Sequence, residues 1–437
     1  MHPSGARDRW RNPKPRLLFS DDQGVIRDHP TLLALGAGGG EPLPLTERDA
    51  IPLPRGSDLF YLPGRTPLGW NSRQRRVVAF SEGVAGRPVH AVAAFLAPAH
   101  TADLLAAYHT RPGAPVLPLY AYAAVGFAGG EHWAAARRVD PDRRQDPWRF
   151  DDNRIRDAVA RHLEQHPENA LVLQLERCAL EYQCRAAQNF FLERHEAPLP
   201  ISVTCNARCL GCISLQPDGT FKAAHERLGR APRAEEVAAV AREHIARVPR
   251  TVVSFGQGCE GEPLLMRELI VETVRRIRAG TTEGTVNLNS NASLPAVVEE
   301  LVAAGLDSLR VSLNSPRPRV YDAYYRPQGY RFADVEASML VMRRAGRFVS
   351  LNLLYFPGVT DREEEIEALV ALIESCGVRM IQLRNLNLDP EIYREALPRG
   401  VVGPGVGLEA FMRALQRRFP RLHFGYFNPP KEEYADW

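Results

Sequence analysis

Three cysteines lie close together in the middle of the chain. Cys205, Cys209 and Cys212 all fall in the stretch "ISVTCNARCLGCISLQ", residues 201–216. Three thiolates at this spacing in a loop can converge on one inorganic centre. A structural zinc site uses four protein ligands, usually as two pairs at short spacing, and no second pair follows here. Iron–sulfur cubanes also prefer four thiolates, so a cubane held by three keeps one iron open for a substrate or cofactor.

The other four cysteines suggest no second metal site with a familiar spacing. Cys178 and Cys184 are too far apart for a zinc knuckle, and buried packing is the default expectation for both. Cys259 lies in a glycine-rich stretch that could face a substrate or a second metal, and Cys376 is expected in the core. Whether Cys178, Cys184 or Cys259 binds a second metal stays open.

The composition limits the classes of function. The chain has 437 residues, enough for two or three domains, and a formal net charge of only +3. This balance gives no electrostatic argument for nucleic acid or for an anionic membrane. Seven cysteines are too few for a disulfide scaffold, and the N-terminal "MHPSGARDRWRNPKPR" lacks the apolar segment of a secretory signal. We therefore expect a cytoplasmic protein.

One uncharged stretch raises the question of a membrane span. Residues 112–130, "PGAPVLPLYAYAAVGFAGG", carry three prolines in their first half and three glycines in their second half. A spanning helix needs about 20 mostly apolar residues without such interruptions. The stretch is therefore predicted to be buried strand and turn in a soluble domain.

The N-terminal part is predicted to be rich in β-structure. Residues 1–165 contain frequent prolines and glycines between short apolar runs such as 75–80 and 90–97. We expect an accessory domain with a linker at 141–154 and a helix at 154–167. A connecting helical segment, 166–198, follows.

From residue 199 the pattern becomes regular. Strands are predicted at 199–203, 251–256, 285–290, 308–314, 348–356 and 379–388, and helices at 234–248, 264–280, 294–305, 331–346 and 361–377. This alternation indicates βαβ units and a parallel sheet, either doubly wound or a full or partial barrel. In both, the chemistry lies at the carboxyl ends of the strands, where the cysteine triplet falls. The barrel is predicted over 199–390, and a C-terminal extension, 391–437, adds a helix at 407–420 and a strand-like run at 422–427.

Four motifs accompany the predicted strands. They are the CxxxCxxC loop after the first strand, "FGQGCEGEPLL" (255–265), "NSNAS" (289–293) and "AGLDSLRVSLNS" (304–315). Together they resemble the radical S-adenosylmethionine (radical SAM) superfamily, in which the last three correspond to a glycine-glycine-glutamate motif, a Thr-Asn-Gly stretch and the fourth strand. The resemblance covers about 199–390 and implies an α/β fold, a partial (β/α)6 TIM-like barrel with the N-terminal β-rich accessory domain.

The resemblance also implies the roles of particular residues. Cys205, Cys209 and Cys212 would hold a 4Fe–4S cluster, whose open iron would be chelated by S-adenosylmethionine. The carboxylate of Glu262 would accept hydrogen bonds from the methionine ammonium. Four further residues would line the same cofactor pocket, Ser312 and Asn314 near the ribose or carboxylate, together with Ser290 and Asn291.

The chain departs from the family at the position before the third cysteine. The family usually has a bulky residue there, near the adenine, and this chain has Gly211. Leu210 or Leu353 could supply the adenine contact instead. Arg384, on the sixth strand, could bind an anionic group of the substrate or form a structural ion pair. "YYRP" (324–327) could close over the site or form a packed aromatic pair.

The implied function is reductive cleavage of S-adenosylmethionine and hydrogen abstraction from an unidentified substrate. Two alternatives remain open: a non-catalytic iron–sulfur or metal-binding barrel protein, and a SAM-dependent methyltransferase acting by polar transfer. The expected partners are an electron donor of the flavodoxin or ferredoxin type and a substrate that is a small molecule, a peptide or a protein. Neither a membrane nor a nucleic acid is expected as a partner.

Overall fold

The structure, a computed structural model, describes residues 14–46, 49–83, 86–216 and 218–436. Most of the N-terminal stretch that bears on a secretory signal lies outside these residues. The chain divides into two compact units. One comprises Met1–Pro141, Leu354–Ile366 and Arg384–Ala414, and the other comprises Asp142–Leu353, Glu367–Leu383 and Leu415–Trp437. The domain boundaries at 165, 198 and 390 stay predictions.

The N-terminal part is built of short strands, as its proline and glycine content predicts. These strands are β1 (Arg16–Ser20), β2 (Ile26–Ala37), β3 (Leu43–Pro44), β4 (Ile51–Pro52), β5 (Asp58–Leu62), β6 (Arg65–Asn71), β7 (Arg76–Ala79), β8 (His90–Phe95), β9 (His100–Ala102), β10 (Leu105–Ala106), β11 (Tyr108–Thr110), β12 (Val125–Ala128), β13 (Glu131–Ala134) and β14 (Ala136–Arg138). All of the pairings among them are antiparallel within the described residues.

Strand β1 lies at the centre of the antiparallel sheet. It pairs with β2, β8 and β12, and β9 and β14 form a separate two-stranded sheet. Leu18, Val92 and Val125, one from each of three neighbouring strands, are buried together in the core of this part. The stretch 112–130 contains β12 and turns, but its first half is largely irregular backbone that includes the exposed Val116 and Tyr120, so the prediction of buried strand and turn holds only for its second half. Among the helices of the described ranges, none combines the length and the hydrophobicity that a membrane span requires.

Three helices precede the parallel sheet in the chain. They are α1 (Asp152–Gln165), α2 (Ala170–Leu180) and α3 (Arg185–Phe191). Asp151 caps α1 by accepting a hydrogen bond from the Arg154 N–H, and Asn169 caps α2 through the N–H groups of Leu171 and Val172. The helix predicted at 154–167 is therefore confirmed with shifted ends.

A seven-stranded parallel sheet forms the rest of the fold. Its strands follow sequence order: β15 (Glu196–Pro198), β16 (Val252–Phe255), β17 (Thr285–Ser290), β18 (Ser308–Leu313), β19 (Phe348–Tyr355), β20 (Met380–Asn385) and β21 (His423–Gly425). The helices are α4 (Ala234–Arg247), α5 (Arg267–Gly280), α6 (Pro295–Ala304), α7 (Pro318–Tyr325), α8 (Phe332–Arg344), α9 (Glu363–Cys376), α10 (Pro390–Ala396) and α11 (Leu408–Arg418). The partial TIM-like barrel predicted from the sequence is thus confirmed, and β21 adds a seventh strand beside β20.

The structure differs from the predicted elements at several places. The first strand is Glu196–Pro198, not 199–203, because Glu196, Ala197 and Pro198 pair with Val252, Val253 and Ser254. The region between β18 and α8 contains a further helix, α7, which was not predicted from the sequence. Its eight residues include three tyrosines and a valine that are buried, so helix propensity alone gives little signal there.

A small cavity lies between α4 and the helices α1 and α3 of the same unit. His244 of α4 is buried, and its Nε2 atom has no hydrogen-bond partner in the described residues. Burial lowers the pKa of His244 to about 3, and the neighbouring His162 and Arg247 act in the same direction. His244 is therefore a neutral histidine that resists protonation in the folded chain.

Candidate functional site

The segment before the first cysteine runs alongside the loop that follows β16. The Leu199 N–H donates to the Ser254 carbonyl at 2.8 Å, and the Gly261 N–H donates to the Ser202 carbonyl at 2.8 Å. The Glu262 N–H donates to the Thr204 carbonyl at 2.7 Å. Backbone pairing therefore continues beyond β15 in an irregular form and fixes the approach to Cys205 against the glutamate motif.

The three cysteines lie close enough to affect one another electrostatically. All three are half-buried and free. Burial raises the pKa of Cys209 well above its usual value, and the thiolates of Cys205 and Cys212 raise it further. Burial likewise raises the pKa of Cys205 to about 11, with Glu262 as the next contribution. The structure thus brings together the triplet and the glutamate that the sequence motifs assign to one site.

The donor set is of the kind that an iron–sulfur cubane requires. Nowhere in the described ranges are three or more His, Cys, Asp or Glu side chains arranged to hold a single metal ion. A cubane places different demands on its ligands, because each thiolate binds a different iron. Bound iron would supply the positive charge that stabilises such neighbouring thiols as thiolates. The residues present therefore fit a three-cysteine cubane.

Glu262 is buried at the start of a short 3-10 helix, Pro263–Met266. Its Oε1 atom accepts hydrogen bonds from the Leu264 N–H at 3.1 Å and from the Ser290 hydroxyl at 2.6 Å. Its Oε2 atom accepts from the Asn291 N–H at 2.8 Å. Burial raises the pKa of Glu262, and these three hydrogen bonds oppose the rise. Ser290 and Asn291, predicted to line the cofactor pocket, contact Glu262 directly and orient its carboxylate.

A chain of amide contacts joins this carboxylate to the cysteine loop. The Asn291 side-chain amide donates to the Asn206 Oδ1 atom at 2.8 Å. The Asn206 amide in turn donates to the Ser293 hydroxyl at 2.9 Å. Asn206 directly follows Cys205, so the "NSNAS" stretch holds both Glu262 and the cysteine loop. Asn206 was not predicted from the sequence, although its place between two cysteines was a usable signal.

Glu260 is a second buried glutamate of this region that was not predicted from the sequence. Its Oε2 atom accepts from the N–H groups of Ile201 and Ser202 at 2.8 and 2.9 Å. Its Oε1 atom accepts from those of Gly256 and Gln257, both at 2.7 Å. Burial raises the pKa of Glu260 to about 7 against the opposing effect of these four bonds. The carboxylate thus ties the approach to Cys205 to the carboxyl end of β16.

Two glycines of the glutamate motif allow this close packing. Gly256 has a φ of +79°, and a Cβ there would lie 1.7 Å from the Asn289 carbonyl oxygen. At Gly261 a Cβ would lie 1.8 Å from the Thr204 carbonyl oxygen. Neither position accepts a side chain without moving the backbone, so the glycines are needed to bring the motif against its neighbours.

The end of α7 supports the other side of the cysteine loop. The N–H groups of Arg208 and Leu210 donate to the carbonyls of Tyr325 and Tyr324, both at 3.0 Å. The rings of Tyr324 and Tyr325 are buried and meet edge to face with centroids 4.9 Å apart. "YYRP" therefore contains a packed aromatic pair, the second of its two predicted roles, and its backbone fixes the residues around Cys209.

The remaining predicted residues are less closely connected to this site. Ser312 is half-buried on β18, and the buried Asn314 donates its amide to the Val320 carbonyl at 2.9 Å, within six residues of its own position. Leu210 and Leu353 are both buried, and Arg384 is half-buried on β20. Their roles toward the adenine, the ribose and the substrate stay predictions.

The cysteines outside the triplet take different environments. Cys178 and Cys376 are buried, as expected. Cys184, at the N-cap of α3, is an exposed residue, so its predicted burial is wrong, although nearby protein atoms still raise the pKa of its thiol to about 11. Cys259 is buried and hydrogen-bonded to Cys178, which lowers the pKa of Cys178 and raises that of Cys259. Cys259 therefore contacts α2, a helix outside the barrel repeat.

Comparisons with known proteins find similarity over the part of the chain that contains this site. Residues 199–373 match the family described as the radical SAM superfamily. A GTP 3',8-cyclase of Cyanothece sp. is 31% identical over 181 residues, which are 41% of this chain and 53% of that protein. A GTP 3',8-cyclase of Heliobacterium modesticaldum is 33% identical over 190 residues, 42% of this chain and 54% of that protein. The chain thus spans about half the length of the curated relatives it matches.

The similarity of this chain to solved structures is weak. A radical SAM methyltransferase from Sphaerobacter thermophilus is 21% identical in sequence, with a TM-score of 0.37. The alignment covers 53% of this chain and 66% of the methyltransferase chain. HydG, a maturase of the [FeFe]-hydrogenase, is 18% identical at a TM-score of 0.37, over 63% and 66% of the two chains. Likeness at this level carries no functional argument. Residues 199–373 of this chain are thus similar to the radical SAM superfamily, and the cysteine loop, Glu262 and the "NSNAS" stretch that meet at the site all lie inside that match.

Proposed function

We propose that this chain is a radical SAM enzyme that abstracts a hydrogen atom from its substrate. Members of the superfamily use a 4Fe–4S cluster and S-adenosylmethionine. In this proposal Cys205, Cys209 and Cys212 hold the cluster, and Glu262 receives the methionine ammonium. The observation that carries the proposal is a chain of hydrogen bonds from the cysteine loop to Glu262. Asn291 donates to Asn206 in the loop through its side chain and to Glu262 through its backbone N–H.

The protein's part in this chemistry is to bind and orient. When bound, the cluster and S-adenosylmethionine supply a 5′-deoxyadenosyl radical by one-electron cleavage of the sulfonium. Glu262 offers a buried carboxyl group whose orientation is set by Ser290 and Asn291, so its oxygen atoms are in place before a cationic ligand arrives. Beside the cysteine loop, the buried rings of Tyr324 and Tyr325 exclude water.

The proposed function also implies an electron donor, a cellular location and a substrate. Radical SAM enzymes need an electron donor and a substrate. We infer a flavodoxin or ferredoxin as the donor and a cytoplasmic location, where reduced thiols persist. The substrate is not identified: the curated relatives are GTP 3',8-cyclases, which makes GTP a compound to test, but the matched part is only half of those proteins.

The first experiment is anaerobic reconstitution with iron and sulfide. The wild-type chain is expected to bind about four iron atoms and to show the broad visible absorbance of a cubane. Cys205→Ala, Cys209→Ala and Cys212→Ala should each lose most of this iron. Cys184→Ala is the matched control, because Cys184 is an exposed residue outside the site and its removal should leave the iron content unchanged.

The second step distinguishes the three classes of function. With dithionite and S-adenosylmethionine, the reconstituted protein should release 5′-deoxyadenosine, with and without GTP as a test substrate. A stable cluster without any 5′-deoxyadenosine would favour the non-catalytic metal protein. Formation of S-adenosylhomocysteine without a reductant would favour polar methyl transfer. A wild-type chain that binds no iron would exclude the proposal.

A further inference from the structure

An arginine outside every sequence motif contacts the third cysteine of the triplet. The Arg227 Nη2 atom donates to the Cys212 Sγ atom at 3.6 Å, which is within range for a hydrogen bond to sulfur. Its Nε atom donates to the Ser214 hydroxyl at 3.2 Å. The same hydroxyl lies 3.7 Å from the Cys212 Sγ atom. Arg227 and Ser214 thus form a small polar group around this one sulfur atom.

The backbone holds Arg227 in this position. The Leu228 N–H donates to the Cys259 carbonyl at 2.8 Å, and the Leu228 side chain is buried. On the other side, the N–H groups of Ala224 and His225 donate to the Ile213 carbonyl at 2.9 and 3.2 Å. The segment 224–228 is therefore attached both to the cysteine loop and to the glutamate motif, which fixes the backbone of Arg227 beside Cys212.

Arg227 differs from other arginines of this unit in its partners. Within the described ranges no carboxylate forms an ion pair with its guanidinium, whereas Arg177 and Arg247 of the same unit each have carboxylate partners. The guanidinium faces the triplet itself, because its Nη2 atom lies 3.6 Å from the Cys212 Sγ atom. An arginine guanidinium in general keeps its positive charge across the physiological pH range.

We propose that Arg227 is a positioning residue that raises the reduction potential of a cluster bound to the triplet. This inference rests on the proposed function, because it requires Cys212 to be a cluster ligand. One electron from an external low-potential donor enters the cluster, no bond forms or breaks, and the negative charge of the cluster and its thiolates increases by one. A fixed cation and an N–H···S bond both favour the more negative state.

The test is a redox titration of the reconstituted protein without S-adenosylmethionine, followed by electron paramagnetic resonance. Arg227→Met should shift the one-electron equilibrium toward the oxidised cluster by at least about tenfold, which corresponds to about 59 mV. Arg227→Lys, which keeps a cation but not the planar fork, should shift it less. Arg230→Met is the control: it removes the same charge from an exposed position three residues along and should leave the potential unchanged.

The outcomes separate this inference from the function on which it rests. If the wild-type chain forms no cluster, the proposed function fails. If wild type and Arg227→Met form equal amounts of cluster with equal potentials, the role of Arg227 is refuted while the function stands. If Arg227→Met cannot retain a cluster, Arg227→Lys and Arg227→Gln decide: a potential that is the same in both refutes the role of the charge.

Discussion

The four backbone bonds to Glu260 predict a local effect of a very small substitution. Glu260→Gln keeps the size of the side chain but replaces one acceptor oxygen with an NH2 group, which is a donor. That group must then face two N–H donors, those of Ile201 and Ser202 or those of Gly256 and Gln257. Two buried hydrogen bonds are lost, whichever way the amide turns.

The size of the effect follows from the cost of unsatisfied buried groups. Each such N–H costs about 1–3 kcal/mol, so local opening should become easier by about 2–6 kcal/mol. Because about 1.4 kcal/mol is a factor of ten, amide exchange at the affected pair should accelerate by at least about tenfold. In the reconstituted protein the looser approach to Cys205 should also lower iron retention.

The assay is hydrogen–deuterium exchange, with peptides that cover 199–204 and 254–259. It is best run at about pH 8, above the pKa of about 7 of Glu260, so that the wild-type side chain is a carboxylate. Glu299→Gln, at an exposed position of α6, is the control for loss of one negative charge and should change neither peptide. Equal exchange of both peptides in wild type and Glu260→Gln would refute the role assigned to Glu260.

Two further predictions concern the glycine motif and the buried histidine. Gly256→Ala should abolish the native fold of the glutamate motif, which would be seen as a lowered melting temperature and a loss of iron binding. Gly229→Ala is the control and should melt like wild type, because a Cβ at this position meets nothing within 4 Å. A Gly256→Ala variant that behaves like wild type would contradict the packing described above. The lowered pKa of His244, about 3, means that the unfolded chain takes up a proton on this residue before the folded chain does, so stability should fall as the pH drops from about 6.5 toward 3. In melting curves recorded across that range, His244→Gln should show a smaller decrease than wild type, and parallel decreases would refute the assignment.

Much of the barrel could be predicted because its signals are local. The run "TVNLNS" is apolar at alternate positions and bounded by polar turns, and it forms β17 with the predicted ends. The helix predicted at 294–305 is real because Pro295 starts it and Gly305, with a φ of +111°, ends it. Strand β15 was misplaced because its residues, Glu-Ala-Pro, have weak strand propensity, and only pairing with β16 makes them a strand.

Some features of the candidate site could likewise be predicted from the sequence, and others could not. The types and spacing of the three cysteines and the presence of Glu262 are properties of the sequence, and they indicate iron–sulfur chemistry without a structure. The sequence could not reveal that Arg227 contacts Cys212, that Glu260 collects four N–H groups, or that Asn206 meets Asn291. Hydrogen bonds between segments depend on the distance between atoms in space. That distance is set only when the parallel sheet brings the ends of its strands, and the loops that follow them, together at one edge of the fold.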